Sequence, residues 1–147
     1  MSRFMNGWML AVLSTVAVGI SAWIVFRSAF YVTKVRRSRF QGRIPLEDDV
    51  FYEDYYSSSG LQKNIVISLR HELASAFRVD ATKLLPTDRF QEELSVVRGW
   101  EYVDDATDEL YLLNHDREKR LGITIPLVKF KTADDYIRGI ARYESPK

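Results

Sequence analysis

Residues Trp8–Phe26 read WMLAVLSTVAVGISAWIVF, nineteen consecutive residues without a charge. At about 1.5 Å rise per residue, a helix of that length covers about 28 Å, close to the hydrocarbon thickness of a bilayer. Nine of the nineteen are Leu, Ile, Val or Phe, worth roughly −3 to −5 kcal/mol on an insertion scale before the small polar residues subtract. The stretch therefore predicts a membrane-spanning helix over about 8–26, inside an N-terminal segment 1–32 that contacts a lipid bilayer through residues 8–32. A secretory signal is the competing reading, but it places its positive charge before a shorter apolar core.

Charge is split along the chain. All 20 acidic residues lie at or after Glu47, while seven of the 21 Lys and Arg precede it. One of these, Arg3, stands before the apolar stretch, and TKVRRSRFQGR, with five bases, comes after it. Under the positive-inside rule this asymmetry predicts a single-pass protein whose C-terminal domain is cytoplasmic. Segment 33–46 reads as a basic juxtamembrane linker, with Lys34, Arg36, Arg37, Arg39 and Arg43 placed to meet anionic lipid headgroups. From residue 47 onward 14 bases stand against 20 acids, a net of −6. That balance argues against nucleic acid as a partner, since phosphate binding needs a positive face, and favours a protein with a basic surface. The absence of cysteine excludes disulfides, thiol nucleophiles and cysteine zinc sites.

Residues 47–147 carry helical periodicity. LEDDVFYEDYY predicts a short helix whose aromatic residues Phe51, Tyr52, Tyr55 and Tyr56 pack onto the domain C-terminal to it, with a contact face for a partner as the alternative, and SSSG breaks it. In QKNIVISLRHELASAF, residues Ile65, Val66, Leu69, Leu73, Ala76 and Phe77 share one face, with Lys63, Arg70, His71 and Glu72 directed to solvent. Asp80 is placed to cap a brief turn before Pro86. Gln91–Leu94 reads as a turn, and SVVRGWEYVDD as a loop or short hairpin. Thr107–Leu121 predicts a further helix despite its polar centre, NHDREK. The last helix starts at Thr132, with Asp135 in position to complete a capping box. The expectation is an all-α chain: one transmembrane helix and a small helical bundle.

The order FRVDATKLLPTDRFQEEL, a helix ending in REKRLGITIP, then KTADDYIRGI resembles the acyl carrier protein family over about Leu61–Ile140, through Val79, Leu84, Pro86, Phe90, Glu93, Leu94, Ile125, Pro126 and Thr132. The resemblance implies a four-helix carrier fold with a serine that bears 4'-phosphopantetheine at the start of the second helix. Counted back from Pro126, that Asp-Ser-Leu position falls on Ala106-Thr107-Asp108. Threonine adds a β-methyl that stiffens χ1 and crowds the hydroxyl, and a charge replaces the flanking leucine. The loop from Phe90 to Thr107 is about twice the family's length. Ser95 lies in it without the flanking residues, and Pro126–Thr132 is short for the family's third helix. Thr107 then reads as a helix N-cap, with phosphopantetheine attachment to it as the alternative.

The resemblance also implies an acidic partner face at the start of the second helix, here Glu101, Asp104, Asp105, Asp108 and Glu109. A solvated helix start and a divalent-cation site are the other readings, but the spacing does not match a calcium loop. His71 and His115 belong to no metal or nucleophile motif, and there is no phosphate-binding glycine loop. The functional expectation is a non-catalytic docking or adaptor module with no cofactor. Its rivals are a carrier modified on Thr107 that supplies acyl chains to a membrane enzyme, and a small structural subunit of a membrane complex.

Overall fold

The computed structural model describes residues 2–94 and 105–144. Helices make up its regular structure: α1 (Ser2–Gln41), α2 (Asp48–Tyr55), α3 (Lys63–Phe77), α4 (Asp105–Leu121) and α5 (Ala133–Glu144), with single 3-10 turns at Ser57–Ser59, Ala81–Lys83 and Leu127–Lys129. The described residues contain no strand, only one isolated antiparallel bridge between Arg89 and Thr132. The expected all-α class therefore holds.

The expected membrane span does not. Among the described residues no helix is long and apolar enough to cross a membrane. The uncharged run 8–26 is interrupted by small and polar residues. Ser14, Thr15, Gly19 and Ser21 dilute that run, and Arg27 comes soon after it. The orientation drawn from the flanking charges has no spanning helix to orient among these residues.

Segment 33–46, expected as a linker, is helical through Gln41 and packs on the domain. Val32, Arg36 and Phe40 are buried at spacings of four, so one stripe of α1 faces inward over its last three turns. Of the bases expected to meet headgroups, Arg36 is 2% exposed and Arg43 is half-buried, while Lys34, Arg37 and Arg39 remain exposed.

The core lies around α3, which contacts α2, α4 and α5. Val66, Leu69, Leu73, Ala76 and Phe77 of α3 pack with Leu84, Leu94, Leu110, Ile125, Tyr136, Ile137 and Ile140. The apolar face read from the sequence is this core. The opposite side departs from expectation: Arg70 is fully buried, not directed to solvent, because α2 lies over it. Arg70 donates to Asp48 Oδ1 (2.7 Å), Leu46 O (3.0 Å) and Leu84 O (3.3 Å). Its guanidinium stacks 4.0 Å from the centroid of Phe51. Asp48 also meets Nε2 of His71 at 2.7 Å, so one carboxylate holds two α3 side chains. Phe51 and Tyr56 are fully buried beside them, while Tyr55 is exposed, so the aromatic residues of this segment pack in part.

Helix ends obey local chemistry. Asp80 accepts from the Thr82 amide at 3.0 Å and caps the 3-10 turn. The α5 entry is a reciprocal capping box: the Asp135 amide donates to Thr132 Oγ1, and the Thr132 amide to Asp135 Oδ2, both at 3.1 Å. Gly122, at φ +65°, ends α4, and its amide donates to Glu118 O at 2.8 Å. Arg78 ends α3 at φ +54°, a left-handed position taken here by a residue with a Cβ.

Candidate functional site

Helix α4 has two unlike faces. Ala106, Leu110, Asn114 and Arg117 recur at helical spacing and are buried. The polar pair does not break the packing, because partners meet it inside. Asn114 Nδ2 donates to Leu110 O (2.8 Å) and to the Tyr136 hydroxyl (3.0 Å). Arg117 Nη2 donates to Glu72 Oε2 at 2.8 Å and its Nε to Glu144 Oε1 at 2.6 Å, and Nη1 reaches Asn114 Oδ1 at 2.8 Å. The Tyr136 hydroxyl donates to Glu72 Oε1. One connected network thus ties α3, α4 and α5 together.

The charges in this network are matched once Arg120 is counted, whose Nη2 donates to Glu144 Oε1 at 3.0 Å, so that two guanidinium groups face two carboxylates. Burial alone would lower the Arg117 pKa, but the carboxylates of Glu72 and Glu144 raise it further above its ordinary value. Burial and the charge of Glu72 push the Tyr136 phenol up, so it stays protonated and able to donate. Glu72, expected at the surface, is half-buried because Arg117 and Tyr136 reach it. A matched, bonded arrangement of this kind fixes the rotation of α4 about its axis.

The outer face of α4 is therefore set. Thr107, Asp108, Tyr111, Leu112, His115, Asp116 and Lys119 are exposed. Tyr111 is 61% and Leu112 63% exposed, two large apolar side chains next to each other on a helix that cannot turn to bury them. Tyr111 and His115 stack with ring centroids 6.1 Å apart. Leu113, 38% exposed, widens the patch.

The structure separates the predicted site residues. Thr107 is exposed in the first turn of α4, but it is not the N-cap, since the helix already includes Asp105 and Ala106. Asp105 is the first helical residue, Asp108 is exposed and Glu109 half-buried. Glu101, Asp104 and Ser95 lie outside the described residues. The helix thus brings Thr107, Asp108 and Glu109 together in its first two turns, where acids complement the positive end of the helix dipole. Tyr111 and Leu112 are not among the residues that sequence reasoning singles out. Their signal is nonetheless present: with Leu110, Asn114 and Arg117 on the inner stripe, residues 111 and 112 must face out.

Among the described residues no group of three or more His, Cys, Asp or Glu could hold a metal ion. His71 is committed to Asp48, and His115 Nδ1 lies 3.8 Å from Glu118 Oε2. No family model matches the chain, and no curated protein or solved structure matches it.

Proposed function

We propose that this chain is a non-catalytic docking module, laid out like an acyl carrier domain but without its prosthetic group, and that its contact surface is the outer face of α4. The observation that carries the reading is the exposed pair Tyr111 and Leu112, flanked by exposed Asp108 and Asp116 on a helix locked from behind. A half-apolar, acid-flanked helix face suits a partner that offers an apolar seat with Lys or Arg at its rim. The resemblance to carrier domains points to the same helix, which is the partner helix of that family. Thr107 supports the absence of a prosthetic group through its β-branched hydroxyl and through Asp108, a charge where the family has leucine.

Thr107 is exposed, which favours one second reading, a carrier modified at this residue. Affinity capture from the native cell, with the full chain as bait, tests the docking reading. Leu112→Asp should lose a captured protein that wild type and His71→Ala both retain. Capture insensitive to Leu112→Asp would remove α4 as the contact surface.

A further inference from the structure

We propose that the tail of α1 is a strap that holds the 84–94 loop in shape and, through it, the entry of α5. The loop joins α3 to the residues leading to α4 and has neither helix nor strand to satisfy its carbonyls. Two of its carbonyls, Glu92 O and Leu94 O, accept from arginines of α1, which also bind its flanks and its one buried carboxylate. Arg36, buried, donates from Nε to Leu94 O at 2.6 Å and from Nη1 to Phe77 O at 3.0 Å. Arg39 Nη1 donates to Glu92 O at 2.5 Å. Arg43 Nη1 reaches Lys83 O at 3.1 Å and Asp88 Oδ2 at 2.7 Å, and Lys83 Nζ returns a bond to Gln41 O at 3.3 Å. Asp88 is itself buried and accepts the Leu85 amide at 2.9 Å. Hydrogen bonds with a charged donor are the stronger class, and those of Arg36 are buried.

The loop passes this order on. The first amides of α5 have no partners within their own helix; Ala133 donates to Asp88 O at 2.8 Å and Asp134 to Pro86 O at 2.9 Å. The Phe90 amide donates to Lys131 O at 2.9 Å. One turn into α5 stands Tyr136, bonded to Asn114 of α4. A chain of bonded groups therefore runs from the α1 tail to the back of the docking helix. Farther up α1, Val12, Leu13, Val16, Ile20, Trp23 and Tyr31 are exposed. The strap goes beyond the docking reading and holds whichever partner α4 meets.

Hydrogen exchange monitored by mass spectrometry on the full chain tests this, comparing wild type with Arg36→Met/Arg43→Met. Exchange in 84–94 and in the first turn of α5 should rise about tenfold or more, while the middle of α3 stays within about twofold. Unchanged exchange in 84–94 would overturn the strap. So would an equal rise throughout α3, because the arginines would then only stabilise the whole fold. If the double variant does not fold, Arg39→Met, at the exposed rim, carries the test: a rise confined to 84–94 supports the strap, and none refutes it.

Discussion

Tyr136→Phe removes one oxygen from the middle of the helical domain and leaves the ring where it is, edge-on to Phe90 and Phe130 with centroids 6.3 and 5.8 Å away. The lost oxygen donates to the Glu72 carboxylate and accepts from Asn114 Nδ2 at 3.0 Å. A hydrogen bond to a charged group contributes roughly 1.5–3 kcal/mol and a neutral one roughly 0.5–1.5. The full sum is not expected, because neither partner is stranded. Glu72 keeps Arg117 at 2.8 and 3.3 Å, and Asn114 Nδ2 keeps Leu110 O at 2.8 Å. The expected loss is about 2 kcal/mol. Urea unfolding monitored by circular dichroism should show a midpoint lower by about 1 M at an unchanged slope. Glu72→Gln, made in both backgrounds, should reveal a coupling of about 1 kcal/mol or more. A loss under about 0.5 kcal/mol, or additive variants, would show that the network does not fix α4.

Other outcomes rest on single contacts. Asp48 is a pH-sensitive tie between α2 and α3. Burial would raise its pKa, but the hydrogen bonds and charges of His71 and Arg70 outweigh that and hold it below the ordinary carboxylate value. A depressed folded-state pKa stabilises above the unfolded value of about 3.9, and the gain is lost as pH falls through the lower folded value. Near-ultraviolet circular dichroism should therefore show acid loosening below about pH 4 that Asp48→Asn flattens; an identical acid profile in the variant would remove this carboxylate from the account. Gly139→Ala ought to gain about 1 kcal/mol in helix propensity. Here the added Cβ would sit 2.6 and 2.7 Å from Phe130 Cε1 and Cζ, an overpacking that costs roughly 1–3 kcal/mol. The net effect in thermal unfolding should be destabilising, and it should turn stabilising in a Phe130→Ala background. Stabilisation by Gly139→Ala alone would show that the ring yields freely.

Local chemistry is legible in the sequence, and partners distant along the chain are not. The i, i+3, i+4 spacing of apolar residues marks the inner face of α3, and Thr132 with Asp135 marks the start of α5, because both signals act within a turn or two. The pattern of α3 alone puts Arg70 outside, since it lies off the apolar stripe. Its burial depends on Asp48, 22 residues earlier, which α2 brings over it. Arg36 reads as a surface base for the same reason, although its acceptors Phe77 and Leu94 lie 41 and 58 positions away. The polar centre of α4 weakens the helical signal there, yet Asn114 and Arg117 sit four and seven residues after Leu110, on the core stripe. A polar residue at an inward position is a sign of a buried partner, and here the partners are Tyr136, Glu72 and Glu144. The apolar run near the N-terminus misleads in the opposite sense: an uncharged window suggests a separate unit, while α1 continues past it into the domain.

The absence of an attached arm is the claim on which the adaptor reading depends. The most direct measurement is the intact mass of the full chain after co-expression with a phosphopantetheinyl transferase and a carrier protein as positive control. The account predicts that the control gains one phosphopantetheine group and this chain keeps its unmodified mass. A gain of one such group on this chain, abolished by Thr107→Ala, would contradict it and make the protein a working acyl carrier.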